Sequence, residues 1–373
     1  IEMKKKIHVC ILMPSHWSNR KGGAQLQARY IMDFLQEKDD IKITYVCRNV
    51  KFNSKNNIYK LPKKILSKYF YFIDKKNIFD ILDKIKPDYI YQRVLCSYTG
   101  IAAKYCKKNA TKMIFHVANS PDVEPQKAKF NKFFLANLIE KYYREYGINN
   151  ADLIVGQAEY QDQLLWKHYS RRCDLIMPNI SPDVYATKKS SALSKKIILW
   201  VANIKEQKGP DIFLKLAKEF VNNDQIEFHM AGKVTSKYGK EIKENAFNMK
   251  NVFYHGELSL EEVNVLMSEA YLFINTSKYE GFPNTFIQAW MNMTPVLSLN
   301  VDPDNIIEKN GLGWFCGDYS TLLTNLERMI EIESNISIIG EKCRSFALEY
   351  FSLNNVESLY RLIRNSFTTG NKI

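Results

Sequence analysis

The sequence predicts an α/β protein made of two Rossmann-like, doubly wound parallel-sheet domains, and three observations carry that expectation. Short apolar, β-rich runs alternate with helical patterns along the whole 373-residue chain. Those runs are nearly continuous in apolar residues, as in strands covered by helices on both faces. A polar stretch at 178–196 carrying Pro178 and Pro182 interrupts the rhythm once, which divides the chain into two parts of ordinary domain size.

In the first half the strand-like runs fall at 7–13, 41–47, 88–92, 112–117, 152–156 and 174–177. Between the first two, residues 24–37 place Leu26, Tyr30, Phe34 and Leu35 on one helical face. After the linker the runs resume at 197–203, 226–232, 251–256, 271–277 and 295–299. Ser259 and Glu262 have the spacing of a capping box, in which hydroxyl and carboxylate satisfy free amides reciprocally. Pro210 suits the first turn of a helix, where its missing N–H costs nothing. The expected division is an N-terminal domain over 1–185 and a C-terminal domain over 186–353.

Composition narrows the functional class. Apolar residues make up 46% and charged residues 25%, a globular balance. The net charge of +13 is unevenly placed: residues 1–190 hold 34 basic against 18 acidic residues, and the remainder 19 against 22. A half with a surplus of +16 is expected to meet an anionic partner. Lys4–Lys6 followed by an apolar run resembles a signal peptide, but Pro14 ends that run early and a buried first strand is the expected form. No run reaches the length of about 18 apolar residues that a spanning helix needs. Seven scattered cysteines without a C-x-x-C pair argue against a disulfide framework and a zinc site, and for a reducing cytoplasm.

Open parallel sheets bind ligands beyond the carboxyl ends of their strands, so the chemistry is expected in the loops there. No G-x-G-x-x-G follows the first strand and no G-x-x-x-x-G-K-[ST] occurs, which counts against a dinucleotide dehydrogenase and a P-loop NTPase. The most informative stretch is 271–299, YLFINTSKYEGFPNTFIQAWMNMTPVLSL. Glu280 sits on the loop lip with Gly281, Phe282 and Pro283, followed by a helix opening near Asn284 or Thr285 with Gln288 one turn inside. Amides at such a helix start suit a diphosphate, and Glu280 suits sugar hydroxyls.

This stretch resembles the signature of the retaining glycosyltransferases of family four, the glycosyl transferases group 1, in their bacterial cell-surface polysaccharide form. The family pattern S-x-x-E-G-F-x-x-x-x-x-E-A-x-x-x-x-x-P-V is met by Ser277, Glu280-Gly281-Phe282, Ala289 and Pro295-Val296. NGLGWFCGD at 310–318 is similar to the family's next segment. Two positions depart from it. Gln288 stands where the family has a second Glu that receives ribose hydroxyls, and an amide accepts without the strength of a charge. At 202–209, ANIKEQKG keeps Lys208-Gly209 of the family's G-R-x-x-x-x-K-G but has Asn203 in place of its Arg. Lys205 is the nearest substitute cation.

The resemblance, strong over 197–318 and weaker over 1–190, implies the GT-B architecture, with two domains facing across a cleft and a final helix within 354–373 crossing back onto the first. It implies a UDP- or GDP-sugar donor, no further cofactor and no metal. Gly22 and Gly23 at the entry to the first helix and Gly256 after the 251–256 strand are the remaining donor-side candidates, Gly256 toward the base. His116, with Asn119 and Asp122 after it, matches a family His facing the donor sugar. Arg93 is expected on the acceptor side with Asn119, or paired to a carboxylate. The implied reaction retains configuration by front-face displacement, with Lys208 on the leaving diphosphate, Glu280 on the sugar and His116 steadying positive charge. The alternatives are a nucleotide-sugar epimerase on the same fold and a catalytically weak subunit.

The implied acceptor is a glycan or a polyprenol-linked sugar. The stretches 51–76 and 127–146 mix Lys with Phe, Tyr, Leu and Ile, a composition suited to the headgroups of an anionic membrane surface. Peripheral attachment at the inner face of the cell membrane is therefore expected. No nucleic-acid-binding module is visible, so nucleic acid is not an expected partner. The oligomeric state is not legible.

Overall fold

A computed structural model describes residues 6–18, 22–50, 57–62, 70–126, 133–184, 195–331 and 336–370. The chain divides into two compact units, Ile1–Ile180 with Leu353–Ile373, and Ser181–Ser352.

The first unit contains strands β1 (Ile7–Leu12), β2 (Ile41–Cys47), β3 (Ile58–Lys60), β4 (Tyr89–Arg93), β5 (Lys112–His116), β6 (Leu153–Gly156) and β7 (Leu175–Ile176). All pair in parallel, in the order β3-β2-β1-β4-β5-β6-β7. Every residue of β1 and β4 is buried, as in central strands covered by helices on both faces. Alternate residues of β1 feed opposite layers. Cys10 and Leu12 join the cluster with Ile101 and Ile148, whereas Val9 and Ile11 join the one with Ile31, Leu35, Leu359 and Ile363. The first helix runs Gly23–Gln36. The last helix, Val356–Gly370, packs beside it and is tied down by Lys38 Nζ on Glu357 (2.8 Å) and by Tyr89 Oη donating to the Ile363 carbonyl (3.1 Å).

In the second unit lie β8 (Lys196–Val201), β9 (Ile226–Ala231), β10 (Val252–Tyr254), β11 (Leu272–Asn275), β12 (Val296–Ser298) and β13 (Gly313–Phe315). They too pair in parallel, in the order β10-β9-β8-β11-β12-β13. The order reverses between β8 and β11, so the loops leaving those two strands frame the switch point where doubly wound sheets take ligands. Pro210 opens helix Pro210–Glu219, and the Ser259 capping box forms as read, with Ser259 N donating to Glu262 Oε2 (2.7 Å) and Glu262 N to Ser259 Oγ (3.2 Å).

Two strands escape the sequence reading, β3 and β13. Each has three residues and lies at a sheet edge. So short a run carries no period, and an edge strand needs only one neighbour. The start of the polar stretch at 178–196 is also better anchored than a linker. Gln27 exchanges two hydrogen bonds with the Ile180 backbone (2.7 and 2.9 Å), and Asn179, Ile180 and Ser181 are buried. Residues 185–194 of that stretch lie outside the described residues.

Candidate active site

Two of the sequence candidates meet directly in the second unit. Lys208 leaves the loop after β8, Glu280 the loop after β11, and Lys208 Nζ lies 2.7 Å from Glu280 Oε2 with both side chains under a quarter exposed. The other carboxylate oxygen, Oε1, accepts from Ser277 Oγ (2.6 Å) and Asn275 Nδ2 (3.2 Å). Asn275 Oδ1 in turn accepts from the Ser277 amide (3.0 Å). Glu280 is thus oriented by two buried polar side chains and a cation rather than projecting from a loose loop. Its positioning residues Asn275 and Ser277 were absent from the sequence candidates. Their signal was present, since Ser277 is the motif serine three residues before Glu280 and Asn275 closes a buried strand.

The Lys208 loop is equally fixed. Gly209 adopts φ +60°, and a Cβ there would stand 2.3 Å from the Thr276 carbonyl, so only glycine fits. Thr276 Oγ1 lies 2.9 and 2.7 Å from the Lys208 and Gly209 carbonyls and accepts from Trp200 Nε1 (3.0 Å). Lys278 N donates to the Gln207 carbonyl (2.8 Å). The loops after β8 and β11 are therefore one hydrogen-bonded piece. Lys205, the suggested substitute cation, is exposed.

Further along the carboxyl edge, Asn203 is exposed beside Ala202, whose carbonyl would lie 1.7 Å from a Cβ on Gly232. The Gly232 amide donates to the Gly256 carbonyl (2.7 Å). Gly256 holds φ +78° with open space where a side chain would go, so backbone conformation rather than room calls for glycine. Asn203, Gly232 and Gly256 form a continuous low rim after β8, β9 and β10.

Helix Asn284–Met291 begins after Pro283 with no side-chain cap, and Asn284, Thr285 and Gln288 are half-buried. Gly281 and Phe282 are buried, and here one sequence reading needs correcting. Expected among the donor-binding side chains, the Phe282 ring instead packs in the core, 5.1 Å from the Phe351 ring, which stacks 5.7 Å from Trp290. Its role is to pin the loop from beneath; an aromatic between Gly281 and Pro283 gives no sign of which way it points.

In the first unit His116 and Arg93 come together, though not at a surface. Both are at most 1% exposed. Arg93 Nη1 lies 3.2 and 3.3 Å from the two ring nitrogens of His116, and Tyr91 Oη is 2.8 Å from Nδ1. Arg93 Nη2 donates to Asn179 Oδ1 (2.6 Å), which also accepts from Gln157. Burial, reinforced by the Arg93 charge and opposed by a hydrogen bond to the Met177 backbone, holds the His116 pKa well below its ordinary value. Burial and the guanidinium thus both favour the neutral imidazole. Neither expected setting for Arg93, an acceptor-facing surface or an ion pair, is what this unit contains among the described residues; its guanidinium rests on neutral partners. Asn119 is half-buried at the start of the turn Ser120–Val123. Burial, offset by amide hydrogen bonds, raises the Asp122 carboxyl to about 6. Gly22 precedes helix Gly23–Gln36 at φ −106°, an ordinary conformation, and a Cβ there would meet only the Gln25 side-chain end.

No group of three or more His, Cys, Asp or Glu is arranged to hold a metal among the described residues. All seven cysteines are free, and burial raises the thiol pKa of each of them. Among the described residues no helix is long and apolar enough to cross a membrane.

Residues 184–345 match the family model described as "Glycosyl transferases group 1". A 2-deoxystreptamine N-acetyl-D-glucosaminyltransferase of Niallia circulans is 29% identical over 114 residues, covering 30% of this chain and 29% of that protein. An alpha-galactosylglucosyldiacylglycerol synthase of Streptococcus pneumoniae is 24% identical over 240 residues, covering 58% and 62%. The chain thus spans between 29% and 62% of the length of these two relatives. Anabaena HepE, solved in complex with UDP and glucose, superposes with a TM-score of 0.74 at 14% identity, over 96% of this chain and 100% of that one. Residues 184–345 are thus similar to the glycosyl transferases group 1, and the two-unit fold is of the GT-B kind.

Proposed function

We propose that the protein is a retaining glycosyltransferase that moves a sugar from a nucleotide-diphospho-sugar to a glycan or polyprenol-linked acceptor. The Lys208–Glu280 pair carries this reading. It sits at the carboxyl ends of β8 and β11, inside the matched family segment, and offers a cation for a diphosphate beside a carboxylate for sugar hydroxyls. That HepE is solved with UDP and glucose supports a UDP-sugar as the first donor to try.

In this reading the donor diphosphate draws Lys208 Nζ away from Glu280, joined by amides at the start of helix Asn284–Met291. Glu280, still oriented by Ser277 and Asn275, turns its Oε2 to a sugar hydroxyl. The bond from the anomeric carbon to the phosphate oxygen breaks, and its electron pair leaves with the diphosphate. The acceptor hydroxyl attacks from the same face, and its proton passes to the departing phosphate oxygen. Gln288 receives the ribose hydroxyls as a neutral acceptor, and Asn203 and Gly256 line the nucleotide end. His116 acts as a neutral hydrogen-bonding group, with Arg93 and Asn119 positioning the first-unit loops that recognise the acceptor. Gly22 and Gly23 bring backbone close to the transferred sugar. The site of action is the inner face of the membrane.

Sugar transfer from a labelled UDP-sugar, followed with Lys208→Ala and Glu280→Gln beside the wild type, tests the proposal. Loss of transfer in both variants at retained thermal stability is expected. Wild-type transfer in either variant, or appearance of an isomerised sugar with no transfer, overturns it.

A further inference from the structure

Helix Phe134–Asn149 is apolar on two faces, and among the described residues only one of them is covered. On the covered face Tyr143 and Gly147 pack against helix Ser97–Cys106. Two glycines permit this approach, since a Cβ at Gly100 would stand 2.1 Å from the Tyr143 carbonyl and one at Gly147 2.7 Å from the Gly100 amide. The other face carries Leu135, Leu138, Ile139 and Tyr142, 76%, 40%, 41% and 50% exposed, and Phe133 extends the row at its start. Their spacing is i, i+3, i+4, i+7, the period of a face that amphipathic helices bury. A single exposed Leu needs no explanation, but a contiguous row does.

The surroundings of that row are basic. Lys104 Nζ stands 4.8 Å over the Tyr142 ring and 4.9 Å from that of Tyr146. Lys75 and Lys76 are exposed just after the turn whose Tyr71 and Phe72 amides donate to Glu140. The acids of the helix are withdrawn: Glu140 is buried under those amides, and Glu145 lies 3.7 Å from Lys141. We infer that this face docks onto an anionic lipid bilayer, with Leu135, Leu138, Ile139 and Tyr142 entering the boundary between headgroups and acyl chains while the flanking lysines meet lipid phosphates. A bilayer fits better than a protein groove because the positive surplus is spread over the whole N-terminal half rather than matched to one acidic epitope. Of the basic stretches read from the sequence, 51–56, 63–69 and 127–132 lie outside the described residues, and the inference uses none of them. Its functional meaning rests on the proposed lipid-linked acceptor.

Co-sedimentation of the full chain with vesicles of phosphatidylcholine, alone or mixed with phosphatidylglycerol, tests it. The wild type is expected to partition at least about tenfold more strongly onto the anionic vesicles. Leu135→Gln combined with Ile139→Gln, both at exposed positions, is expected to lose about tenfold or more, and Ile338→Gln, also at an exposed position but in the second unit, nothing. Equal partition of the double variant and the wild type, or recovery of the wild type in both supernatants, overturns the inference. So does a double variant that alters the sedimentation coefficient of the lipid-free chain while leaving vesicle binding intact, because the row would then be covered by a second copy. Lipid-free transfer to a short soluble acceptor, run in parallel, separates the two ideas: it fails only when the donor-site reading fails.

Discussion

Replacing Lys208 by Ala separates what its cation does for the fold from what it does for the reaction. In the structure Nζ is 2.7 Å from Glu280 Oε2, and the remaining oxygen of Glu280 keeps its bonds to Ser277 and Asn275. The pair retains some contact with solvent, so its loss is expected to cost about 1 kcal/mol, or about 2–4 °C in Tm for a unit of this size. The proposed reaction depends on it more heavily. A group aimed at charge that develops in the transition state is worth about 2.7–4 kcal/mol, which corresponds to a fall of roughly 100–1000-fold in kcat. Steady-state transfer and a thermal melt on the same preparation therefore diverge, with a small loss of stability and a large loss of turnover. Lys208→Arg is expected to recover only part of kcat, because the planar guanidinium delivers its charge with different geometry. A Lys208→Ala variant that turns over like the wild type refutes the leaving-group role.

Further outcomes follow from the same geometry. Gly209→Ala places a methyl 2.3 Å from the Thr276 carbonyl at a left-handed backbone position, and a loss of about 1–3 kcal/mol in chemical denaturation is expected together with reduced transfer. Gln288→Glu restores a charged acceptor, and a several-fold tighter donor dissociation constant by titration calorimetry is expected, with an unchanged constant arguing against contact with the ribose. His116 is held neutral by burial and by Arg93, so the unfolded chain binds a proton there more readily than the folded one. Its contribution to stability is present above the unfolded value of about 6.5 and declines as pH falls below it. Melts at neutral and mildly acidic pH are expected to show a shallower acid loss for His116→Gln than for the wild type, and equal slopes would contradict the assignment.

Much of this architecture is written in local patterns. The runs β1, β2, β4, β5, β6 and β8 are largely buried and mostly apolar, and the Ser259–Glu262 box needs only its own four residues. What local patterns cannot supply is adjacency. Lys208 and Glu280 meet because β8 and β11 are neighbours across the reversal of strand order, a property of the whole sheet. The inward turn of Phe282 follows from the space beside Phe351, which belongs to another part of the chain. His116 looked like a strand-end residue with access to a loop, yet Tyr91, Arg93 and the Met177 backbone enclose it. Its neighbours come from β4 and from the end of β7, and no spacing in the sequence encodes their meeting.

The central claim is that the second unit holds a nucleotide-diphospho-sugar through Lys208 and Glu280. A thermal-shift panel of UDP-, GDP-, ADP- and CMP-sugars on the wild type and on Lys208→Ala tests it most directly. One nucleotide class is expected to stabilise the wild type by about 2.7 kcal/mol at a hundred times its dissociation constant, and the variant far less at the same concentration. No shift with any member of the panel, or equal shifts in both proteins, would contradict the account.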